Sequence, residues 1–385
     1  MTTAGYPTPE RLAAYRAEIR AFILGEIEAL VNEMERTRRV PPDLWARLAA
    51  RDLLRLMLPP AYGGWGLRLR DYVPILETVA QSHGTVRMVV HVQNGLWRLL
   101  EGFGSMSQKQ RLLSRWGSGE ARVAFALTEP DAGTGVDIRT EARRDGGDYV
   151  LTGRKWLITF ADIAEAFIVV AYTDRAKRQD GISAFLVPRD APGFRIVPQP
   201  DGMGLLGTGH GLLELEGCRV PADALLGQEG DGLRMVLRDF LDASRISIGV
   251  SCIGMAQRSL DLAVEHARRR ATFGKPIAER QAVQLMLAEM AVDIQAARLM
   301  VTEAARRVDA GEPYVTQAAM AKLYGLEMVG RVTDRALQVF GGIGYLKAHP
   351  IERIYRDARA VRFEEGTAEI QKLVIARDVL AGRSD

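Results

Sequence analysis

Near its C-terminal end the chain reads Arg362-Phe363-Glu364-Glu365-Gly366-Thr367-Ala368-Glu369-Ile370-Gln371-Lys372-Leu373-Val374. Two adjacent carboxylates precede a glycine and a threonine, and an apolar stripe at Ile370, Leu373 and Val374 marks a following helix. A carboxylate here can act as a base, because the glycine lets a substrate approach the backbone. The free N–H groups of the helix start can hold a developing oxyanion. The same pattern also suits a solvated acidic helix start stabilised by its dipole. Arg87 and His91 form a second candidate, spaced i, i+4 on one face of an apolar segment. They read either as snorkelling surface side chains or as a pocket for a carboxylate or other polar group. A third is the run Arg268-Arg269-Arg270-Ala271-Thr272-Phe273-Gly274-Lys275-Pro276, where cations complement a helix end.

These residues sit on three kinds of chain. From about Pro9 to Gly119 apolar residues recur at helical steps (Leu12, Tyr15, Ile19, Phe22, Ile23), broken by the loop Pro59–Gly66. Between about Ala121 and Gln228 short β-rich runs such as Phe167–Tyr172, Ile182–Val187 and Leu212–Leu215 alternate with Gly, Pro and Asp turns, which argues for a compact antiparallel barrel or sandwich. From Gly232 the helical period returns in three long segments, to about Arg270, from Gln281 to Ala310 and from about Val315 to Phe340. Stripes at Leu285, Ala288, Met290, Val292 and at Met320, Leu323, Leu326, Val329 predict an antiparallel bundle, with Gly341-Gly342 closing the third helix. The fold class expected is α+β: a helical domain over 1–120, a β-barrel or sandwich over 121–229, and a four-helix bundle over 230–385.

Bulk properties narrow the function. The chain has 385 residues, 47% hydrophobic, enough for two or three full cores. Its 51 basic and 48 acidic residues leave a net charge of +3, too even to point to nucleic acid. Cys218 and Cys252 form no CxxC and no disulfide framework, so a reducing, cytoplasmic setting is expected, with no metal site. No apolar stretch approaches the roughly 18 residues of a membrane span.

The Glu365-Gly366-Thr367 run and its helix resemble the C-terminal signature of the acyl-CoA dehydrogenase family of flavoproteins. The likeness extends to Leu58-Pro59-Pro60-Ala61-Tyr62-Gly63-Gly64-Trp65-Gly66, to the loop Phe125–Gly135, to Trp156–Thr159 and to Arg270–Pro276. It implies that Glu365 is the base removing the α-proton of an acyl thioester, beside Glu364 where the family commonly has Tyr. It implies FAD as cofactor, with Phe125, Leu127, Thr128, Ile158 and Thr159 near the isoalloxazine ring. Thr134 stands where the family has a serine touching the ligand or nucleotide. Trp156 is offset by one residue from the family's tryptophan, which in a strand reverses its face, so barrel core is its other reading. Arg270, Phe273, Gln281, Gln338, Val339, Gly341 and Gly342 match contacts to a neighbouring subunit's FAD, an arginine fork suiting a diphosphate. Thr367 and Glu369 would close that site, which makes the enzyme a homo-oligomer, by resemblance a tetramer. No GxGxxG follows a strand, so a Rossmann FAD domain is not indicated.

Asp242 and Arg245 would lie near the CoA portion, Asp242 having an exposed helix face as its alternative. Some relatives carry their catalytic Glu at the position of Ser244, which cannot be a base. Arg87 is similar in position to the arginine that binds the distal carboxylate in glutaryl-CoA dehydrogenases, and to one in homologues acting on carrier-protein-bound acyl groups. Glu364 would repel an anionic tail unless the arginine pairs with it. The expected reaction is α,β-dehydrogenation of an acyl-CoA or acyl-carrier-protein thioester. The thioester oxygen would be polarised by the Glu365 N–H and a flavin ribityl hydroxyl, with Gly366 beside the substrate. A dry pocket and Glu364 should both raise the Glu365 pKa. An electron-transferring flavoprotein is the acceptor the family implies. The rival readings are an acyl-CoA oxidase or other flavoprotein oxidase or monooxygenase, and a non-catalytic flavin- or nucleic-acid-binding descendant.

Overall fold

The computed structural model describes residues 5–132, 137–347 and 349–382. Six helices come first: α1 (Pro9–Phe22), α2 (Glu28–Thr37), α3 (Leu44–Ala50), α4 (Leu69–Val79), α5 (Gly84–Phe103) and α6 (Met106–Leu113). Helix α5 matters most for function. It starts where the His83 ring accepts from the Thr85 N–H and ends where Gly104 turns extended. Nearly all its residues are buried, Arg87 and His91 among them, so the snorkelling-surface reading of that pair does not hold.

The middle of the chain is one sheet of β1 (Val123–Ala126), β2 (Glu141–Asp145), β3 (Asp148–Ile158), β4 (Ala166–Tyr172), β5 (Ile182–Pro188), β6 (Phe194–Pro198), β7 (Gly211–Pro221) and β8 (Leu225–Leu226). Its order is β6-β7-β3-β2-β4-β5-β8, with β1 added parallel to β4. Otherwise it is antiparallel except for the parallel bridge Glu141↔Tyr172. Period-2 alternation splits the strands between two cores. Phe167, Val169, Ala171, Phe185 and Val187 fill the sheet's own core. Ile168, Val170, Tyr172, Ala184 and Leu186 face the helices. Both faces of β4 are therefore covered, which is why it reads as an unbroken apolar run.

Helix α7 (Gly232–Arg234) runs through a π-helical segment (Met235–Leu241) into α8 (Asp242–Arg269). A short hairpin, Ala271–Thr272 with Lys275–Pro276, leads to α9 (Gln281–Ala310), α10 (Val315–Phe340), α11 (Pro350–Ala360) and α12 (Ala368–Leu380). Helices α8 and α10 cross at glycines: a Cβ on Gly325 would sit 3.3 Å from the Gly249 Cα, and one on Gly249 would sit 3.2 Å from the Ala321 carbonyl oxygen. That close approach carries Lys322 of α10 toward the start of α8. On α9 the buried face is Met290, Ile294, Ala297, Val301, Ala304 and Ala305. Leu285 and Val292, expected in the bundle, point outward, because only a third to a half of a helix circumference can face one core. Among the described residues no helix is long and apolar enough to cross a membrane, and no cluster of His, Cys, Asp and Glu could hold a metal.

Candidate active site

The segment between α11 and α12 turns sharply at the two glutamates. Glu365 has φ +51° and Gly366 φ +93°. A non-glycine residue in the left-handed region costs about 1 kcal/mol or more, so something must hold it there. Lys322, fully buried on α10, does so: its Nζ donates to the carbonyls of Glu364 and Gly366, one on each side of Glu365. Gln371 Nε2 adds a bond of 3.2 Å to the Gly366 carbonyl. No sequence motif singled out Lys322. Its one signal is a lysine within the buried set Ala318, Ala319, Ala321, Gly325 and Leu326 of α10.

The clamp aims the two carboxylates differently. Glu364 is gripped by the Arg87 guanidinium, which donates through Nη2 to Oε1 and, at 2.8 Å, through Nη1 to Oε2. Burial alone would raise the Glu364 pKa, but pairing with Arg87 holds it below the ordinary carboxylate value. Glu365 Oε1 accepts from Ser244 Oγ at 2.7 Å, and Ser244 Oγ lies 2.6 Å from His91 Nε2. Burial and the Arg87 charge push the His91 pKa down to about 3, so this imidazole is neutral. With Ser244 donating to the carboxylate, His91 must donate through Nε2–H. Glu365 Oε2 is buried and has no partner among the described residues. Burial first, then the neighbouring Glu364 charge, pushes the Glu365 pKa up to about 7, against the opposing pull of Lys322 and the Ser244 hydrogen bond. One oxygen is thus held in place while the other is left free, on a carboxyl poised near neutrality.

Asp242 and Arg245 are buried one helical turn apart and joined at 2.7 Å, so the exposed-face alternative for Asp242 fails. Leu127 and Thr128 leave the end of β1 and are tied to β3 by Lys155 Nζ, which donates to the Leu127 carbonyl at 2.9 Å, and by the Trp156 N–H, 2.8 Å from the Thr128 carbonyl. Lys155 also pairs with Glu129 at 2.8 Å. Near its end β3 is irregular, between Lys155 and Ile158, with Leu157 at φ +53°. Trp156 is 36% exposed, its Nε1 donating to Gln199 at 2.8 Å, and so is not barrel core. Phe125, Thr159 and Thr367 are half-buried. The side chains of Ile158 and Val339 are buried, so any contact they make comes from backbone. Thr134 lies outside the described residues.

Arg270, Gln281, Gln338, Gly341, Gly342 and Glu369 are all exposed. Phe273 is 97% exposed, at φ +49°, and Arg270 has no ion pair among the described residues. The chain therefore offers an uncovered apolar ledge at Trp156 and Leu157 and an uncovered arginine–phenylalanine–glutamine set. A flat ring system joined to a diphosphate suits both. The residues present fit an FAD, with the first set suited to its ring and the second to its diphosphate.

A three-part helix–sheet–helix chain with an oriented, near-neutral glutamate and flavin-compatible ledges is the plan of a flavin-dependent oxidoreductase acting on carbon acids. The N-terminal, middle and C-terminal domain descriptions of acyl-CoA dehydrogenase match residues 9–120, 124–218 and 230–380. The chain is 37% identical over 364 residues to the mitochondrial short-chain specific acyl-CoA dehydrogenase of Homo sapiens, covering 94% of this chain and 88% of that protein. It superposes on butyryl-CoA dehydrogenase from Megasphaera elsdenii with TM-score 0.92, at 31% identity, covering 98% and 100% of the two chains. It superposes on a prolyl acyl carrier protein oxidase with TM-score 0.91, at 27% identity, covering 97% and 100%. The chain belongs to the acyl-CoA dehydrogenase family, whose members are FAD-dependent oxidoreductases.

Proposed function

We propose that this protein oxidises an acyl thioester to its α,β-unsaturated counterpart, with Glu365 as the base. The observation that carries this reading is the divided Glu365 carboxylate: Oε1 fixed by Ser244, Oε2 buried and unpartnered among the described residues. Oε2 takes the α-proton, and the C–H electron pair becomes the new C=C bond as the β-hydrogen leaves as hydride. Bound FAD supplies the hydride acceptor. Leu127, Thr128 and Thr159 would line its ring, and Arg270 of a neighbouring subunit would hold its diphosphate, with Gln281 and Gln338 as further contacts. The Glu365 N–H, set free by the left-handed turn, points its dipole at the thioester oxygen and lowers the α-proton's pKa. Asp242 and Arg245 serve the CoA or carrier arm, with Gly366 giving close access. Arg87 keeps Glu364 charged and satisfied, so the tail pocket is not closed to polar groups by a bare carboxylate.

The functional units are 1–120, 121–229 and 230–385, which the three family-matched stretches support. The exposed apolar row Leu285, Val292 and Leu299 on α9, at steps of seven, supports assembly into a homotetramer. Two buried free cysteines suit a cytoplasmic setting. The acceptor is an electron-transferring flavoprotein. The likeness to the carrier-protein oxidase favours a second reading, in which the acyl group arrives on a carrier protein and oxygen reoxidises the flavin; stopped-flow reoxidation in air separates the two acceptors. The decisive test is Glu365→Gln: the variant should stay yellow with FAD bound yet show no anaerobic bleaching by thioesters that bleach the parent. Equal bleaching by both would assign the base elsewhere.

A further inference from the structure

Three polar atoms from three separate elements meet at the base. His91 comes from α5, Ser244 from the first turn of α8, and Glu365 from the turn between α11 and α12. Ser244 Oγ lies 2.6 Å from His91 Nε2 and 2.7 Å from Glu365 Oε1, while His91 Nε2 stops 3.5 Å from that carboxylate oxygen. The imidazole therefore reaches the carboxylate chiefly through the hydroxyl. The stretch of α5 that carries it is firmly anchored. Asn94 accepts from the Met57 N–H at 2.9 Å and donates to the Leu53 and Val90 carbonyls, and Trp116 Nε1 donates to the Gln93 carbonyl at 2.7 Å.

This three-atom link has a direction. An ionised carboxylate only accepts, so the Ser244 hydrogen points at Oε1 and the serine lone pair is left for a donor. His91 supplies that donor through Nε2–H. With its pKa pushed down to about 3 by burial and the Arg87 charge, it keeps the same neutral state across the pH range in which Glu365 titrates. Donation into the serine oxygen polarises its O–H and strengthens the bond to Oε1. The other charges bearing on Glu365 are Lys322 of α10, Arg245 of α8 and the adjacent Glu364, which is paired with Arg87 of α5. Among the described residues none of these hydrogen-bonds Oε1, so the orientation of that oxygen is left to Ser244 and, behind it, His91.

We infer that His91 is a positioning residue for the base: acting through Ser244, it pins Glu365 Oε1 and so dedicates Oε2 to the α-proton. This deepens the dehydrogenation reading and rests on it, so one arm of the test needs no turnover. The FAD-loaded variants Ser244→Ala, His91→Phe and His91→Gln are compared, the glutamine keeping an N–H where Nε2 stood. The kcat/KM limb near pH 7 should move up by about one to two pH units in Ser244→Ala, the size of a lost charged hydrogen bond. His91→Phe should move it the same way by about half a unit or more, a loss of about threefold or greater below the limb, and His91→Gln should restore it. Adding His91→Phe to Ser244→Ala should shift the limb no further. An unmoved limb in His91→Phe, a shift that His91→Gln fails to rescue, or a further shift in the double variant overturns the assignment. Urea denaturation reads the same titration without substrate. The stability gap between the parent and Glu365→Gln should stop growing at about pH 7, and the matching gaps in the Ser244→Ala and His91→Phe backgrounds at correspondingly higher pH. Those shifts in a protein that no thioester bleaches would keep the His91–Ser244 assignment and sink the dehydrogenation.

Discussion

Lys322→Met removes the clamp on the Glu365 turn while keeping a chain of similar length. Two mainly buried carbonyls lose a donor, but Gly366 retains Gln371, so only the Glu364 carbonyl is stranded. An unsatisfied buried acceptor costs about 1–3 kcal/mol, and the left-handed Glu365 loses its restraint. The variant should therefore lose stability by an amount of that order in urea denaturation. The electrostatic effect is more specific. Lys322 is the largest influence opposing the rise of the Glu365 pKa, which already stands at about 7. Removing the cation moves that pKa upward, and each unit is a factor of ten in the fraction of competent base below it. The kcat/KM profile of the parent should climb with pH through about 7, and that limb should move to higher pH in Lys322→Met. Activity would then fall most at pH 6 and least at pH 9. A merely structural lysine would lower activity evenly across pH. An unmoved limb in a folded, yellow variant would refute the argument.

Further predictions rest on other contacts. Arg87→Met should destabilise by about 3–5 kcal/mol by stranding the buried Glu364 charge, and the double variant Arg87→Met/Glu364→Gln should recover much of that in denaturant titration. The Glu365 carboxyl, at about 7 against an ordinary 4.5, favours the folded state when protonated. Its contribution is fully present below about pH 4.5 and lost as pH rises through about 7, a penalty of about 3 kcal/mol at 1.36 kcal/mol per pH unit. Glu365→Gln should therefore be more stable than the parent at pH 8 and no more stable at pH 4.5; equal stability at both pH values would contradict a raised pKa. Gly249→Val should cost about 1–3 kcal/mol by overpacking the α8–α10 crossing, and should lower kcat more than a distant substitution of equal stability cost, because Ser244 and Lys322 flank that crossing.

The local periodicities were enough to show the helical and strand segments, because each records which face of an element is buried. The stretch Glu364–Thr367 showed a candidate base because a carboxylate, a glycine and a helix start are neighbours in the chain. What the sequence could not decide was which side of a helix meets which neighbour. The i, i+4 spacing of Arg87 and His91 is equally that of a solvated face, and only the burial of α5 makes it part of the active site. Leu285 and Val292 fit a bundle stripe as well as Met290 does, yet packing leaves them outside. Lys322 and Ser244 reach Glu365 across 43 and 121 residues of chain. Such contacts exist because α8 and α10 meet at paired glycines, and no local pattern encodes that meeting. Composition and spacing identified the chemistry on offer; tertiary packing chose which oxygen is held and which is left free to take a proton.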